Sequence, residues 1–365
     1  MPLSKSAALI HGMQPHHLDH LATLAIELDI PLIVTEPSLQ QLAKKYYPAL
    51  TTFLTDDLHL GRYVIENYDT LLSSLPRDLI DQMFFVVQHI YQKPLTTIWC
   101  PHGNSDKGHA SYLMEALQKE KIALVYGEKM IDFLRTKNAY DQLDSALLIG
   151  NYRYHFYQKR ATFYDELIKR EILAHLSAAS MTFLYAPTWQ DSERSTSFFS
   201  AFPAMIEHWP RKWNLIVKLH PNLALQQPNR TELLIDRASK SSNMTILTDF
   251  PLIYPLLNTV DGYIGDLSSI GYDYLTFNKP MFFLNETNRN PKTDPGLFLF
   301  RCGHVVDRSD YPNLPSLIEK NLPNDGKYFQ KIRQDLYGYV FGSKNWNPTL
   351  KTAIERALNG IGSTP

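Results

Sequence analysis

The sequence DGYIGDLSSIGYDYLTFNKPMFFL, residues 261–284, predicts a strand, a short helix and a second strand in succession. Residues 262–264 and 281–284 are the strands, and the helix begins near Ser268 or Ser269. A serine hydroxyl there can cap the helix by accepting from its free backbone N–H groups, and the same N–H groups favour a bound phosphate. Two interpretations stay open from this pattern: a phosphate site, or an ordinary strand–helix–strand unit with a serine cap.

Composition narrows the class of protein. The 365 residues indicate two domains or one large one, and 44% hydrophobic content is ample for buried cores. A net charge of −1 argues against a nucleic-acid binder, and two cysteines, Cys100 and Cys302, indicate a reducing compartment. The N-terminal apolar run, interrupted by His11, is too short for a signal peptide, and no run approaches the ~20 residues of a membrane span. We therefore expect a cytoplasmic protein that is either soluble or held only peripherally at a membrane surface.

Apolar runs alternate with amphipathic segments along most of the chain. The runs are residues 7–12, 31–35, 84–90, 96–100, 122–127, 146–150, 181–186, 215–219, 244–248, 262–265 and 281–284. Runs without polar alternation are typical of parallel strands buried on both faces, and their alternation with helices predicts doubly wound α/β units. We expect one domain over 1–155, a second over 156–335, and a helical tail over 336–365 that crosses back.

Ligands of doubly wound sheets bind at the carboxyl ends of the strands, so the polar residues that follow the apolar runs are candidates. His102, beside Gly103, can act as a general base. Thr188 can hold a phosphate or nucleotide. Lys218, costly to bury unless paired, and His220 together suggest anion binding. For each of them an ordinary turn or strand end remains the alternative.

Two further groups are less specific. Arg153 can clamp a phosphate or form an ion pair. The N-terminal histidines His11, His16, His17 and His20 have no carboxylate or cysteine at a metal-binding spacing. We therefore interpret them as a loop and helix start, and expect neither a metal nor a cofactor.

Taken in chain order, these motifs resemble the CDP-glycerol glycerophosphotransferase family, which includes teichoic-acid primases and polymerases. The matching elements are His102-Gly103, Gly150-Asn151-Tyr152-Arg153, Tyr185-Ala186-Pro187-Thr188-Trp189, Lys218-Leu219-His220-Pro221, Asp261, Gly265-Asp266-Leu267-Ser268-Ser269, Asp273 and Lys279-Pro280. They cover about residues 90–290. The resemblance implies a GT-B fold: two Rossmann-like doubly wound domains facing a central cleft, with the acceptor domain first and the nucleotide-donor domain second.

The resemblance also implies a reaction and its residues. A polyol phosphate would pass from a CDP-linked donor to a polymer or lipid-linked acceptor, with release of CMP and peripheral contact at the inner face of the cell membrane. The implied roles are a base for His102, charge stabilisation for His220 and Lys218, phosphate binding for Thr188, Ser268, Ser269 and Arg153, and loop orientation for Asp266.

The chain departs from the family pattern at three places. Asn104-Ser105-Asp106-Lys107 replaces Thr-Pro-Leu-Lys, His155 stands where an Asp is usual, and Ser343-Lys344-Asn345 replaces a closing Asp-Gly. Two alternatives therefore stay open: a GT-B sugar transferase or nucleotide-sugar epimerase with a UDP-linked donor, and a nucleotide-binding protein without activity.

Overall fold

The computed structural model describes residues 3–107, 115–191, 193–343 and 346–361. Their contacts divide the chain into two compact units. The first unit comprises the described residues within 1–104, 111–158 and 339–365, and the second those within 105–110 and 159–338. The predicted boundaries after residues 155 and 335, and the acceptor and donor roles of the two domains, stay predictions.

The first unit is built on a seven-stranded sheet. Its strands are β1 Ser6–Ile10, β2 Leu32–Val34, β3 Thr52–Leu54, β4 Thr70–Ser73, β5 Thr96–Trp99, β6 Ile122–Val125 and β7 Ser145–Leu148. They lie in the order β3-β2-β1-β4-β5-β6-β7, and all are parallel to their neighbours. Every residue of β1 is buried, as a central parallel strand covered on both faces requires.

The α-helices of this unit each follow a strand. They are α1 Pro15–Leu28, α2 Pro37–Tyr46, α3 Asp57–Asn67, α4 Arg77–Tyr91, α5 Glu128–Thr136 and α6 Tyr152–Lys159. Proline at the first position of α1 and α2 fits a helix start, where its missing N–H leaves no bond unmade.

One strand prediction was wrong: residues 84–90 lie in α4. Ile80 and Phe84, four residues apart, are buried, and this spacing is that of a helix face. In the same segment, Phe85, Val86 and Ile90 are 68%, 62% and 67% exposed to solvent. Apolar side chains on the solvent face masked the helical period and made the segment resemble a buried strand.

The second unit contains a six-stranded sheet. Its strands are β8 Met181–Ala186, β9 Trp213–Lys218, β10 Met244–Leu247, β11 Gly262–Gly265, β12 Met281–Asn285 and β13 His304–Asp307. They lie in the order β10-β9-β8-β11-β12-β13, again all parallel. The strand–helix–strand unit predicted from residues 261–284 is present, with Tyr263 of β11 in register with Met281 of β12.

Helices flank this sheet as well. They are α7 Ala161–Glu171, α8 Phe198–His208, α9 Pro221–Gln226, α10 Pro228–Ala238, α11 Tyr254–Asn258, α12 Ile270–Tyr274 and α13 Leu314–Asn321. The chain ends in α14 Asp325–Phe341, which begins in the second unit, and α15 Leu350–Ile361 in the first. Short 3₁₀ helices are Leu3–Lys5, Glu115–Lys119, Tyr140–Gln142, Leu173–His175, Leu275–Phe277, Pro295–Cys302, Arg308–Asn313 and Leu322–Asn324.

The strand orders confirm the predicted doubly wound α/β class. In each sheet the order reverses once, between β1 and β4 in the first unit and between β8 and β11 in the second. Loops diverge at such a switch point and leave space for a ligand beyond the carboxyl ends of the strands. Over the described part of the chain, no helix combines the length and the apolar character needed to cross a membrane.

Candidate active site

Asp266 organises the switch point of the second unit. It follows β11, and its Oδ1 accepts a 2.7 Å hydrogen bond from the N–H of Thr188, which follows β8. Its Oδ2 accepts from the N–H and the hydroxyl of Ser197, at 2.8 and 2.7 Å. The carboxyl group is fully buried, and burial raises its pKa to about 6, against the opposing effect of these hydrogen bonds. Asp266 therefore joins the loops that follow both switch-point strands.

Lys107 lies over the same loops. Its Nζ is 2.7 Å from Asp191 Oδ2 and contacts the Thr188 hydroxyl. The ammonium group also lies 5.5 Å from the centre of the Trp189 ring, a distance at which a cation is attracted to the aromatic face. A candidate phosphate ligand, Thr188, is thus covered by a lysine to which the sequence interpretation assigned no role.

The serine pair lies at the start of α12 but does not cap it as predicted. Ser269 occupies the N-cap position in a helical conformation, and no side-chain capping hydrogen bond forms. The Ser268 and Ser269 carbonyls instead accept from the first helical N–H groups. With five residues, α12 also has too few aligned peptides for a full helix dipole. Phosphate binding by the half-buried serines stays a prediction that rests on their hydroxyl groups.

His220 has a defined tautomer. It is the N-cap residue of α9, and its Nδ1 accepts from the N–H of Asn222 at 3.2 Å. Because a backbone N–H can only donate, Nδ1 carries no proton, and the neutral ring carries its proton on Nε2. Lys218, two residues earlier, is buried at the end of β9. His220 therefore presents a hydrogen-bond donor, as contact with a phosphate oxygen requires.

His102 follows β5 in the first unit, and Gly103 after it adopts a φ of 124°, which favours glycine. The His102 ring centre is 4.8 Å from that of His17 and 6.2 Å from that of His16. Its side chain keeps exposed surface, yet the protein around it desolvates the imidazole and lowers its pKa. Burial, with His102 and His16 nearby, also lowers the pKa of His17. The rings of His102 and His17 are therefore neutral near pH 7.

A buried hydrogen-bond chain fixes the backbone before His102. The Tyr126 hydroxyl donates to the Pro101 carbonyl at 3.1 Å, and His20 Nδ1 lies 2.8 Å from the same hydroxyl. Because the tyrosine proton goes to the carbonyl, the hydroxyl oxygen accepts from His20, whose Nδ1 carries the proton. Burial, with Arg153 nearby, lowers the pKa of His20 well below its ordinary value. This chain gives His20 a structural role behind His102.

Arg153 forms a buried ion pair. Its guanidinium lies 2.8 Å from Asp19 Oδ2, and the two side chains are 2% and 6% exposed. The Tyr47 hydroxyl donates to the other oxygen of Asp19 at 3.2 Å. An ion pair this enclosed fixes α6 against α1 in the first unit. The predicted phosphate contact of Arg153 stays a prediction.

Three residues that organise these sites lacked a clear sequence signal. Lys107 coincides with the last residue of a motif from which Asn104, Ser105 and Asp106 depart, but no role was assigned to it, and Ser197 was not considered. Asp19 had one weak signal, a carboxylate among the apolar residues of a predicted amphipathic helix. Across the described ranges, no three His, Cys, Asp or Glu side chains converge as a metal site would need. The absence of a metal and of a cofactor stays a prediction.

The fold places this protein in the class of GT-B proteins. Two doubly wound parallel units in one chain make up the GT-B fold, as solved structures show. The wall teichoic acid polymerase TagF, in a His-to-Asn variant soaked with CDPG, aligns with a TM-score of 0.67 and 14% identity over 98% of this chain and 89% of that chain. Anabaena Alr3699/HepE in complex with UDP and glucose aligns with a TM-score of 0.55 and 10% identity over 98% and 100%. At these identities the likeness establishes the fold.

The family match goes further. Residues 86–298 match the family described as CDP-Glycerol:Poly(glycerophosphate) glycerophosphotransferase, and the chain belongs to that family. The predicted resemblance and the assignment as a transferase are thereby confirmed. Comparison with curated proteins gives no match.

Proposed function

We propose that this protein transfers glycerol phosphate from CDP-glycerol to a hydroxyl group of a polymer acceptor, in teichoic-acid synthesis, and releases CMP. One observation carries the proposal: the family match over residues 86–298 contains every residue predicted for the site. Those residues are His102, Arg153, Thr188, Lys218, His220, Asp266, Ser268 and Ser269. The hydrogen bonds of Asp266 and the tautomer of His220 support the same chemistry.

The transfer step assigns a proton transfer to His102 and charge stabilisation to His220. The neutral imidazole of His102 accepts the proton of the acceptor hydroxyl, whose oxygen attacks the phosphorus next to glycerol. The bond from that phosphorus to the bridging oxygen breaks, and CMP leaves. The Nε2–H of His220 donates a hydrogen bond to the charge that develops on the leaving phosphate. A positioned base contributes roughly 10²–10⁴-fold to such a step.

Removal of either ring tests this assignment. His102→Ala and His220→Ala should each lower CMP release from CDP-glycerol by at least about 10²-fold, while the melting temperature stays near that of the wild type. His208→Ala, which removes an exposed ring of the second unit, is the control and should turn over normally. Full turnover in both site variants would refute the assignment.

The identity of the nucleotide needs its own measurement. CMP and CDP should raise the melting temperature of the wild type, because they occupy the proposed donor site. UDP is the comparison ligand. Stabilisation by UDP alone would favour a sugar transferase or an epimerase, and binding of CDP without turnover on any acceptor would favour an inactive protein.

We further propose peripheral contact with the membrane, where a lipid-linked acceptor would lie. The exposed side of α4 carries Leu79, Phe85, Val86 and Ile90, an apolar helix face of the kind that enters a lipid interface. The wild type should sediment with phosphatidylglycerol vesicles. The double variant Phe85→Ser/Ile90→Ser should lose most of this vesicle binding. The control Leu225→Ser removes an exposed apolar residue of the second unit. Equal sedimentation of wild type and double variant would exclude this surface.

A further inference from the structure

We propose that Lys107 contacts the phosphates of the donor at the switch point of the second unit, and that Thr188 and Asp191 position it. This inference rests on the proposed function, because it assigns a residue to the same donor site. Lys107 belongs to the second unit together with Thr188, Asp191 and Trp189, although it follows His102 by five residues in the sequence.

Relative exposure supports the assignment. The Lys107 side chain is 19% exposed, Asp191 is 9% exposed, and Thr188 is 3% exposed. The lysine Nζ contacts the threonine hydroxyl directly. A phosphate that approaches the loop after β8 therefore meets the ammonium group before it reaches the threonine.

The hydrogen-bond capacity of the ammonium group leaves room for a ligand. A lysine Nζ carries three donors and no acceptor. Asp191 Oδ2, at 2.7 Å, accepts one of them, and the Thr188 hydroxyl accepts a second. The third N–H can donate to a phosphate oxygen without loss of either existing contact. Because the threonine oxygen accepts from lysine, its own hydrogen can donate to the same anion.

Asp191 keeps its charge in this arrangement. Its burial works against ionisation, but the ammonium group of Lys107 and hydrogen bonds from Ser195 outweigh it and hold the pKa of Asp191 below its ordinary value. The hydroxyl and N–H of Ser195 donate to the carboxylate at 2.9 and 3.3 Å. The carboxylate is thus a fixed anchor that directs the lysine toward the switch point.

The backbone before Lys107 is anchored as well. Asp106 is 3% exposed; its Oδ2 accepts from the N–H of Leu299 at 2.8 Å, and its Oδ1 accepts from the hydroxyl of Tyr272. The Lys107 N–H donates to the Ser105 hydroxyl at 3.0 Å. Residues 105–107 are therefore held in the second unit by hydrogen bonds, although Ser105 and Asp106 depart from the family pattern and Lys107 keeps its lysine.

The chain offers a matched control for this lysine. Lys212 also pairs with a carboxylate, that of Glu319, and its Nζ lies 5.2 Å from the centre of the Trp213 ring. It lies in the same unit but away from the loops at the switch point, and its side chain is 55% exposed. Lys107→Met and Lys212→Met thus remove equivalent groups, one at the proposed site and one outside it.

Titration calorimetry with CDP tests the inference. Lys107→Met should raise the Kd for CDP by roughly 10- to 100-fold, the loss expected for a charge-assisted hydrogen bond. Lys212→Met should stay within about twofold of the wild type, and Lys107→Arg should recover part of the affinity, because it restores the charge.

Asp191→Asn separates ligand binding from a purely structural ion pair, because it breaks the pair but keeps the cation. We expect it to weaken CDP binding by no more than about threefold. Equal weakening by Asp191→Asn and Lys107→Met would overturn the inference, as would wild-type affinity in Lys107→Met. If Lys107→Met fails to fold, Lys107→Gln takes its place, and wild-type affinity for CDP in that variant overturns the inference. Failure of the wild type to bind CDP would instead refute the proposed function.

Discussion

The two units share a strand order and differ in the side chains at the point where that order reverses. In the first unit the order is β3-β2-β1-β4, and in the second it is β10-β9-β8-β11. The first carries imidazoles, with His17 at the start of α1 and His102 after β5. The second carries a carboxylate, Asp266, that accepts from backbone N–H and hydroxyl donors, and Lys107 lies over the same loops. The strand order therefore predicts where a ligand binds. The side chains at that position determine whether the site accepts protons or binds anions.

Asp19 in the first unit and Asp266 in the second are buried carboxylates near the switch points, and they are stabilised differently. Asp19 faces the full charge of Arg153 and one tyrosine hydroxyl. Asp266 receives hydrogen bonds from neutral groups of Thr188 and Ser197. A charged partner favours an ionised carboxylate, whereas neutral donors compensate burial only in part. The pair provides a direct comparison of the two environments.

Neutralisation of Asp19 and of Asp266 should change the free energy of unfolding by very different amounts, and the change for Asp19 is the largest effect that we expect. At pH 7.5, Asp19→Asn should lower the free energy of unfolding by about 3–5 kcal/mol, because it leaves the buried Arg153 without its counter-charge. Asp266→Asn should cost about 1 kcal/mol or less, because the lost acceptor is offset by removal of a charge that burial disfavours. Urea unfolding followed by tryptophan fluorescence measures both.

The control for this comparison is the double variant Asp19→Asn/Arg153→Gln, which removes both charges. It should regain a part of the stability that the single variant loses, since no uncompensated charge remains in the core. A cost for Asp266→Asn equal to that of Asp19→Asn would show that the two environments are electrostatically alike.

A smaller effect should appear in the way the free energy of unfolding depends on pH, through the titration of Asp266. The pKa of Asp266 is raised from 3.8 to about 6, so folding favours its protonated form. The stability it contributes is fully present below about pH 4 and is lost as the pH rises through about 6. Asp266→Asn cannot titrate, so its stability relative to the wild type should improve by about 1.4 kcal/mol between pH 5 and pH 7.5. If the difference in stability between Asp266→Asn and the wild type is the same at pH 5 and pH 7.5, the raised pKa of Asp266 is contradicted.

Much of the fold was predictable because its signal is local. The six residues of β9 are all buried, and the apolar letters of residues 215–219 predict a strand without any knowledge of its neighbours. β4 was missed because its sequence TLLS offers only two apolar residues, although all four positions are buried. α4 was misread because its exposed face is apolar. In α4 and β4 the errors occurred where burial and polarity fail to coincide. The strands β3 and β13 were also missed, and each is short and only partly buried.

The site was predictable only in part, for a different reason. His102, Thr188, His220 and Asp266 follow apolar strands, and the carboxyl-end rule together with the family resemblance identified them. Lys107 is 81 residues from Thr188 in the chain, so only tertiary structure brings them together. The distance from Asp106 to Leu299 is 193 residues. Positions that act through such partners have no local pattern, so the sequence interpretation assigned them no role.

The smallest expected effect concerns the fall of kcat/KM at acid pH. It distinguishes the role of the first unit from that of the second. Since burial lowers the pKa of His102, kcat/KM should stay constant as the pH falls until a midpoint below 6.5. His17→Asn removes a ring 4.8 Å from His102, admits water, and should shift the midpoint upward by less than about one pH unit. Lys107→Met in the second unit should lower kcat/KM at every pH and leave the midpoint unchanged, because it acts on the donor and not on the base. A midpoint that moves with Lys107→Met and not with His17→Asn would reverse the division of roles between the imidazoles of the first unit and the anion-binding groups of the second.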